Sequence, residues 1–204
     1  IMHYGDSQIE GDRISNELRR GLQGRFGGLG PGLLPLEQPI GSATVSQSLV
    51  EKAYRYILWG SSPDFREEHR RYGPMLSLGV IDSSLVVWRA SKGYDAPDSA
   101  DRFSSIRLLI GQNDSSGVVR LSCSTGGGTK ELAAGSGPEI LHWDLSFPAQ
   151  RAELSFEGIQ GLEVLGISLE SRSGVVVYNL GMRGCSGTIF SQADASQNKR
   201  LFSM

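Results

Sequence analysis

Apolar and polar positions change rhythm twice along this chain. It opens with a short apolar stretch, Ile1-Met2-His3-Tyr4, that stops at Gly5-Asp6-Ser7. From 12 to 26 the spacing is helical: Ile14, Leu18, Leu22 and Phe26 form one apolar stripe, expected to face a core. Asp12 is expected to cap this helix and Gly27-Gly28 to end it. Arg19, Arg20 and Arg25 lie toward its C-terminal end, where the helix dipole favours cations. Gly27-Gly28-Leu29-Gly30-Pro31-Gly32 cannot continue a helix and reads as a connector.

From about 35 to 171 the pattern becomes one of short β-rich runs, at 54–59, 75–81, 84–88, 106–110, 118–123, 140–147, 152–156 and 162–169. Between them stand turn residues such as Gly60-Ser61-Ser62-Pro63, Asp82-Ser83, 113–117 and Gly126-Gly127-Gly128. Many short strands at near-regular spacing predict an antiparallel sandwich. After Ser173-Gly174, Val175-Val176-Val177-Tyr178 is a continuous apolar run, as in a strand covered on both faces. It leads into Asn179-Leu180-Gly181-Met182-Arg183-Gly184-Cys185-Ser186-Gly187, and the tail from 188 to 204 has partly helical character. The first and last segments therefore both read strand–turn–helix. That is the start of an α/β sheet with a β domain inserted between its first two strands. The expected organisation is 1–34, the 35–171 insert, and 172–204.

Composition narrows the function classes. A net charge of -2 and a pI near 6.0 give no basic face, so no nucleic-acid partner is expected. No apolar run approaches the ~18 residues of a membrane span, and 27 glycines suit a turn-rich β protein. No signal-peptide pattern is visible, but the chain opens inside a predicted strand, which leaves export open. Two cysteines, Cys123 and Cys185, are too few for a disulfide framework. They either pair in an oxidising compartment or are two small buried residues.

A serine on a tight turn between strand and helix is well placed for chemistry: the turn exposes the hydroxyl, and nearby backbone N–H groups can face a developing negative charge. Gly5-Asp6-Ser7 followed by Gly11-Asp12 resembles the first conserved block of the SGNH (GDSL-type) hydrolases. Asn179-Leu180-Gly181-Met182-Arg183-Gly184 resembles the second, and the long insertion between them is similar to that of peptidoglycan O-acetylesterases, where a carbohydrate-binding-module-like sandwich interrupts the hydrolase. The resemblance implies an α/β, flavodoxin-like three-layer fold with an inserted jelly-roll or galactose-binding-like sandwich. It also implies a serine esterase in which Ser7 is the nucleophile, Gly184 an oxyanion-hole donor and Asp6 a support for the turn. The plainer alternatives are a helix-capping serine at 7 and an ordinary turn glycine at 184.

The same resemblance calls for a third block with an Asn and a late Asp-x-x-His, because an unactivated serine is a weak nucleophile. The histidines of this chain are His3, His69 and His142, and none has an aspartate three residues before it. Gly111-Gln112-Asn113-Asp114 mimics the third block but precedes the second and runs into Ser115-Ser116-Gly117. It is read as a hairpin turn of the sandwich. The chain is thus expected to be the N-terminal portion of a longer hydrolase, with the remaining blocks beyond Met204 as its partner segment and an apolar sheet edge left open in their absence.

The insert carries Trp59, Trp88 and Trp143, with Tyr54, Tyr56, Tyr72 and Tyr94. Trp88 and Trp143 fit core positions. Tyr72 and Tyr94 fall in predicted loops and are the candidates for stacking on sugar rings. Arg66-Glu67-Glu68-His69-Arg70-Arg71 reads as a solvated surface. Asp95, Asp98 and Asp101 share one loop without a diagnostic calcium spacing, and neither metal nor cofactor is expected. The leading expectation is an esterase that removes O-acetyl groups from a polysaccharide, in the periplasm or outside the cell. A lipase or thioesterase of the same family, and a non-catalytic glycan-binding module, are the alternatives.

Overall fold

The computed structural model describes residues 1–50, 53–57 and 69–203. Its strands are β1 (Met2–Gly5), β2 (Gly32–Leu34), β3 (Val45–Val50), β4 (Ala53–Ile57), β5 (Ser77–Ile81), β6 (Leu85–Lys92), β7 (Phe103–Ile110), β8 (Gly117–Cys123), β9 (Gly126–Leu132), β10 (Glu139–Ala149), β11 (Ala152–Glu157), β12 (Glu163–Glu170) and β13 (Tyr178–Gly181). Helix α1 spans Arg13–Phe26 and α2 spans Ala195–Ser203. Two antiparallel sheets face each other as a β-sandwich. The first runs β10-β7-β12-β5-β4, with β2 also paired to β12, and the second runs β3-β6-β11-β8-β9.

The period of two along each strand builds the core between the sheets. In β6, Val86, Trp88 and Ala90 point inward; in β11, Ala152, Leu154 and Phe156 do the same. They meet Phe103, Ile106, Leu108 and Ile110 of β7 across the sandwich. Each fully buried large apolar side chain contributes about 1.5–3 kcal/mol. Strand β12 is buried at every position because its sheet is covered on both faces. On the outer face, Leu180 of β13 and Leu201 of α2 pack with Leu33, Tyr72, Leu78, Leu109 and Leu165.

The chain ends meet in the parallel pair β1–β13, with Met2 opposite Tyr178 and Gly5 opposite Gly181. Among the described residues these two strands pair only with each other. The connectors into and out of the sandwich lie side by side: Val175 N donates to Gly27 O at 2.9 Å. Gly28 sits at φ +112, and a Cβ there would lie 2.2 Å from Val175 O, so the crossing needs glycine.

Several expectations need correction. Helix α1 forms where predicted, but its other face is inside. Ser15, Asn16, Arg19 and Gln23 are buried, while Ile14, Leu18 and Phe26 are 46%, 41% and 57% exposed. Asp12 makes no capping bond; its carboxylate turns to Arg19 instead. Residues 32–34 belong to the first sheet, not to the segment before the insert. Gly126-Gly127-Gly128 starts the edge strand β9 rather than a loop. Residues 111–116 carry the chain from the first sheet to the second, so they are not a hairpin turn. Within them Asn113 is fully buried, and its Nδ2 donates to Ser115 O and Ala133 O. Cys123 and Cys185 are free thiols. Trp59 and the 66–68 part of the charged run lie outside the described residues.

Candidate functional site

Ser7 stands on the turn that leaves β1, and Gly184 on the turn that leaves β13. The strands are parallel and in register, so both turns emerge from the same end of the pair. Ile9 is buried against the glycines that close the two strands: a Cβ on Gly5 would lie 2.9 Å from Ile9 Cδ1, and one on Gly181 3.1 Å from Ile9 Cγ1. Glycines at both strand ends thus let the turns close over a shared apolar plug.

Ser7 is exposed, and its hydroxyl makes no hydrogen bond among the described residues. Beside it, Asp6 Oδ1 accepts from Gln8 N at 2.9 Å, an Asx-type turn that fixes the backbone around the serine. Met182 N donates to Gly5 O at 2.9 Å and prolongs the ladder past the strands. Gly184 follows at φ 69, in the left-handed region, with an exposed backbone.

Three polar links that the sequence pattern did not single out join the turns. Arg183 Nε pairs with Glu10 Oε2 at 3.0 Å. Asn179 Nδ2 donates to Ile9 O at 2.8 Å and to Asp12 Oδ1 at 3.1 Å, while its Oδ1 accepts from Gly181 N at 3.1 Å. Asp12 in turn binds the buried Arg19. An asparagine inside an otherwise apolar strand run was the available signal, since Asn is disfavoured in strands unless its amide is used. A cavity of about 100 Å³ adjoins this network, lined by Glu10, Asp12, Pro39, Met75, Asn179 and Gly181 among others. Ser7 and Gly184 lie outside its lining.

The histidines are engaged elsewhere. His3 Nδ1 lies 2.8 Å from Ser15 Oγ, and His142 Nε2 lies 2.8 Å from Ser105 Oγ. His69 Nδ1 accepts from Arg71 N, so its Nε2 carries the proton donated to Glu163 Oε1 at 2.7 Å. Tyr72 is a correction: it is 0% exposed, within the apolar cluster on the outer face of the first sheet, and cannot touch a ligand. Tyr94 is 83% exposed. Asp101 is buried and shared by Lys92, Arg102 and Gln150. Among the described residues no three His, Cys, Asp or Glu side chains gather as a metal site, and no helix is long and apolar enough to cross a membrane.

The fold thus defined is a β-sandwich whose two ends meet in a short parallel pair. The solved structure of a peptidoglycan O-acetylesterase shares it, with a TM-score of 0.71 and 18% sequence identity over 96% of this chain. This chain spans 50% of that protein's length. Partial overlaps occur with a family 32 carbohydrate-binding module of C. perfringens NanJ (11% identity, 62% of this chain and 93% of that one, TM-score 0.35). A chitosan-binding module of Paenibacillus sp. IK-5 overlaps similarly (10% identity, 58% and 92%, TM-score 0.32). No protein-family profile and no curated protein sequence matches the chain.

Proposed function

We propose that this chain carries the nucleophile half of an SGNH-type serine esterase that removes O-acetyl groups from a polysaccharide such as peptidoglycan. The observation that supports this most is the placement of two turns, one bearing an exposed serine and one an exposed left-handed glycine, at one end of a parallel strand pair. Ser7 Oγ attacks the ester carbonyl. The N–H groups of Ser7 and Gly184 face the tetrahedral oxyanion, each donor lowering the barrier by about 3 kcal/mol. Collapse releases the sugar hydroxyl and leaves the acetyl group on Ser7, and water then frees acetate. Asp6 holds the turn and does not react.

The general base is assigned to a C-terminal remainder of the hydrolase that follows residue 204 and completes the α/β sheet beside β1. Each histidine of the present chain already has another hydrogen-bond partner, and among the described residues none bonds Ser7. A periplasmic or extracellular location follows from the substrate class. The test uses the protein extended through that remainder. A fluorophosphonate probe labels Ser7, p-nitrophenyl acetate is turned over, and Ser7→Ala abolishes both. Undiminished turnover in Ser7→Ala rules the serine out, and glycan retention without any turnover favours a non-catalytic binding module.

A further inference from the structure

We infer that the outer face of the second sheet is a binding groove for a carboxylate-bearing oligosaccharide. The period of two that sends Trp88 and Leu154 into the core sends their neighbours outward. Register then aligns Ser48, Arg89, Glu153 and Ser122 in one polar row across β3, β6, β11 and β8. All four residues of this row line an open cleft of about 880 Å³, within the size range of ligand sites.

The lining has a definite chemistry. Three guanidiniums, Arg89, Arg102 and Arg151, and one carboxylate, Glu153, line the cleft. Arg89 gives only its Nε to Glu153, at 2.6 Å, and Arg102 gives only its Nε to Asp98 O and Asp101. Their terminal nitrogens, and all of Arg151, are unbonded among the described residues. A free guanidinium fork matches a carboxylate in geometry and charge. Ser46, Ser48, Ser91, Ser122 and Ser124 also line the cleft, and none of their hydroxyls has a partner among the described residues. Hydroxyls that both donate and accept suit a polyol, and forks between them suit an acid group on it. Among the described residues no aromatic ring lines the cleft, so the groove selects by charge and hydrogen bonding rather than by ring stacking.

This inference rests on the proposed function only in expecting a polysaccharide ligand, and binding is measured apart from catalysis. Calorimetry on the full-length protein bearing Ser7→Ala uses tetragalacturonate as the acidic probe and cellotetraose as the neutral one. The acidic probe binds at least about tenfold more tightly at low salt, and the margin shrinks as salt rises. Arg151→Ala and Arg89→Ala each weaken it by about tenfold. Both side chains are on the surface, so the fold survives, and an unchanged melting curve verifies this. Arg151→Glu, equally exposed, weakens binding further. Equal binding of the two probes, no binding, or full retention in the Arg89→Ala/Arg151→Ala double variant overturns the groove. Loss of esterase activity in Ser7→Ala with binding retained leaves both proposals standing. Binding without esterase activity in the unmutated protein removes the catalytic one alone.

Discussion

Arg19 Nη1 meets Asp12 Oδ2 at 2.7 Å, with the arginine side chain fully buried and the carboxylate nearly so. The same guanidinium donates to Val177 O at 3.0 Å and to Thr44 Oγ1 at 3.2 Å, and Asp12 Oδ1 also accepts from Asn179. One ion pair therefore binds the helix after the serine turn, the run before β13 and the first loop of the sandwich. Asp12 itself is held at φ 67, a left-handed conformation that a non-glycine residue adopts only when its surroundings fix it.

Removing one partner of that pair leaves a buried charge uncompensated. Arg19→Met and Asp12→Ala are each expected to cost about 3–5 kcal/mol in urea denaturation. The double variant should lose clearly less than the sum, because the second substitution removes the charge the first left stranded. Additive losses would show that the two side chains act independently.

The serine turn behaves differently. Ser7 is exposed and its hydroxyl has no partner among the described residues, so Ser7→Ala should shift stability by no more than about 0.5 kcal/mol while removing covalent labelling. Gly184→Ala should cost about 1–2 kcal/mol, since an alanine at φ 69 places its Cβ against the carbonyl. Thermal melts measure both, and a cost at Ser7 as large as at Gly184 would mark the serine as a structural cap.

Helix α1 shows what the sequence can and cannot carry. The four-residue spacing of Ile14, Leu18, Leu22 and Phe26 located the helix to within a residue, because periodicity is a property of the local chain. It did not reveal which face is buried, because that depends on distant acceptors: Gln23 Nε2 reaches Gly30 O and Val175 O, and Asn16 reaches Asp95 O. Tyr72 was misread for a related reason. Its loop-like surroundings gave no sign that β13 and α2 would cover the first sheet. The β-rich run at 162–169 was legible as the strand β12, though its coverage on both faces was not. The unbroken run 175–178 reads as a strand covered on both faces, yet only Tyr178 of it belongs to β13. Gly5-Asp6-Ser7 stood out because glycine and a turn-forming acid around a serine are local signals. The Asn179 and Arg183 links join positions far apart in the chain, and spacing does not encode such contacts.

The reversed helix face leads to paired substitutions with opposite outcomes. Leu18→Lys in the 204-residue chain should leave the denaturation midpoint within about 0.5 kcal/mol and reduce binding of an apolar dye, since that side chain faces solvent. Gln23→Leu, a change toward apolarity, should cost about 1–3 kcal/mol because the carbonyls of Gly30 and Val175 lose their donor. A large cost at Leu18 and none at Gln23 would mean the stripe is buried after all.

Tyr178 opens β13 and ties it to the sandwich: its hydroxyl donates to Glu170 Oε2 at 2.9 Å. Burial, reinforced by the Glu170 charge, pushes its phenol up from 10.0 to about 12. An acid whose pKa is raised on folding binds its proton more tightly in the folded state. The stability tied to that proton is complete below pH 10, the unfolded value, and is lost as pH climbs through about 12. Denaturation midpoints should therefore fall across that window. Tyr178→Phe should lower stability at pH 8 by about 1 kcal/mol through the lost hydrogen bond, yet flatten the alkaline decline. In absorbance titration near 295 nm, the variant should lack one of the latest-ionising phenols of the native protein. An alkaline slope unchanged by the substitution would mean that another group governs it.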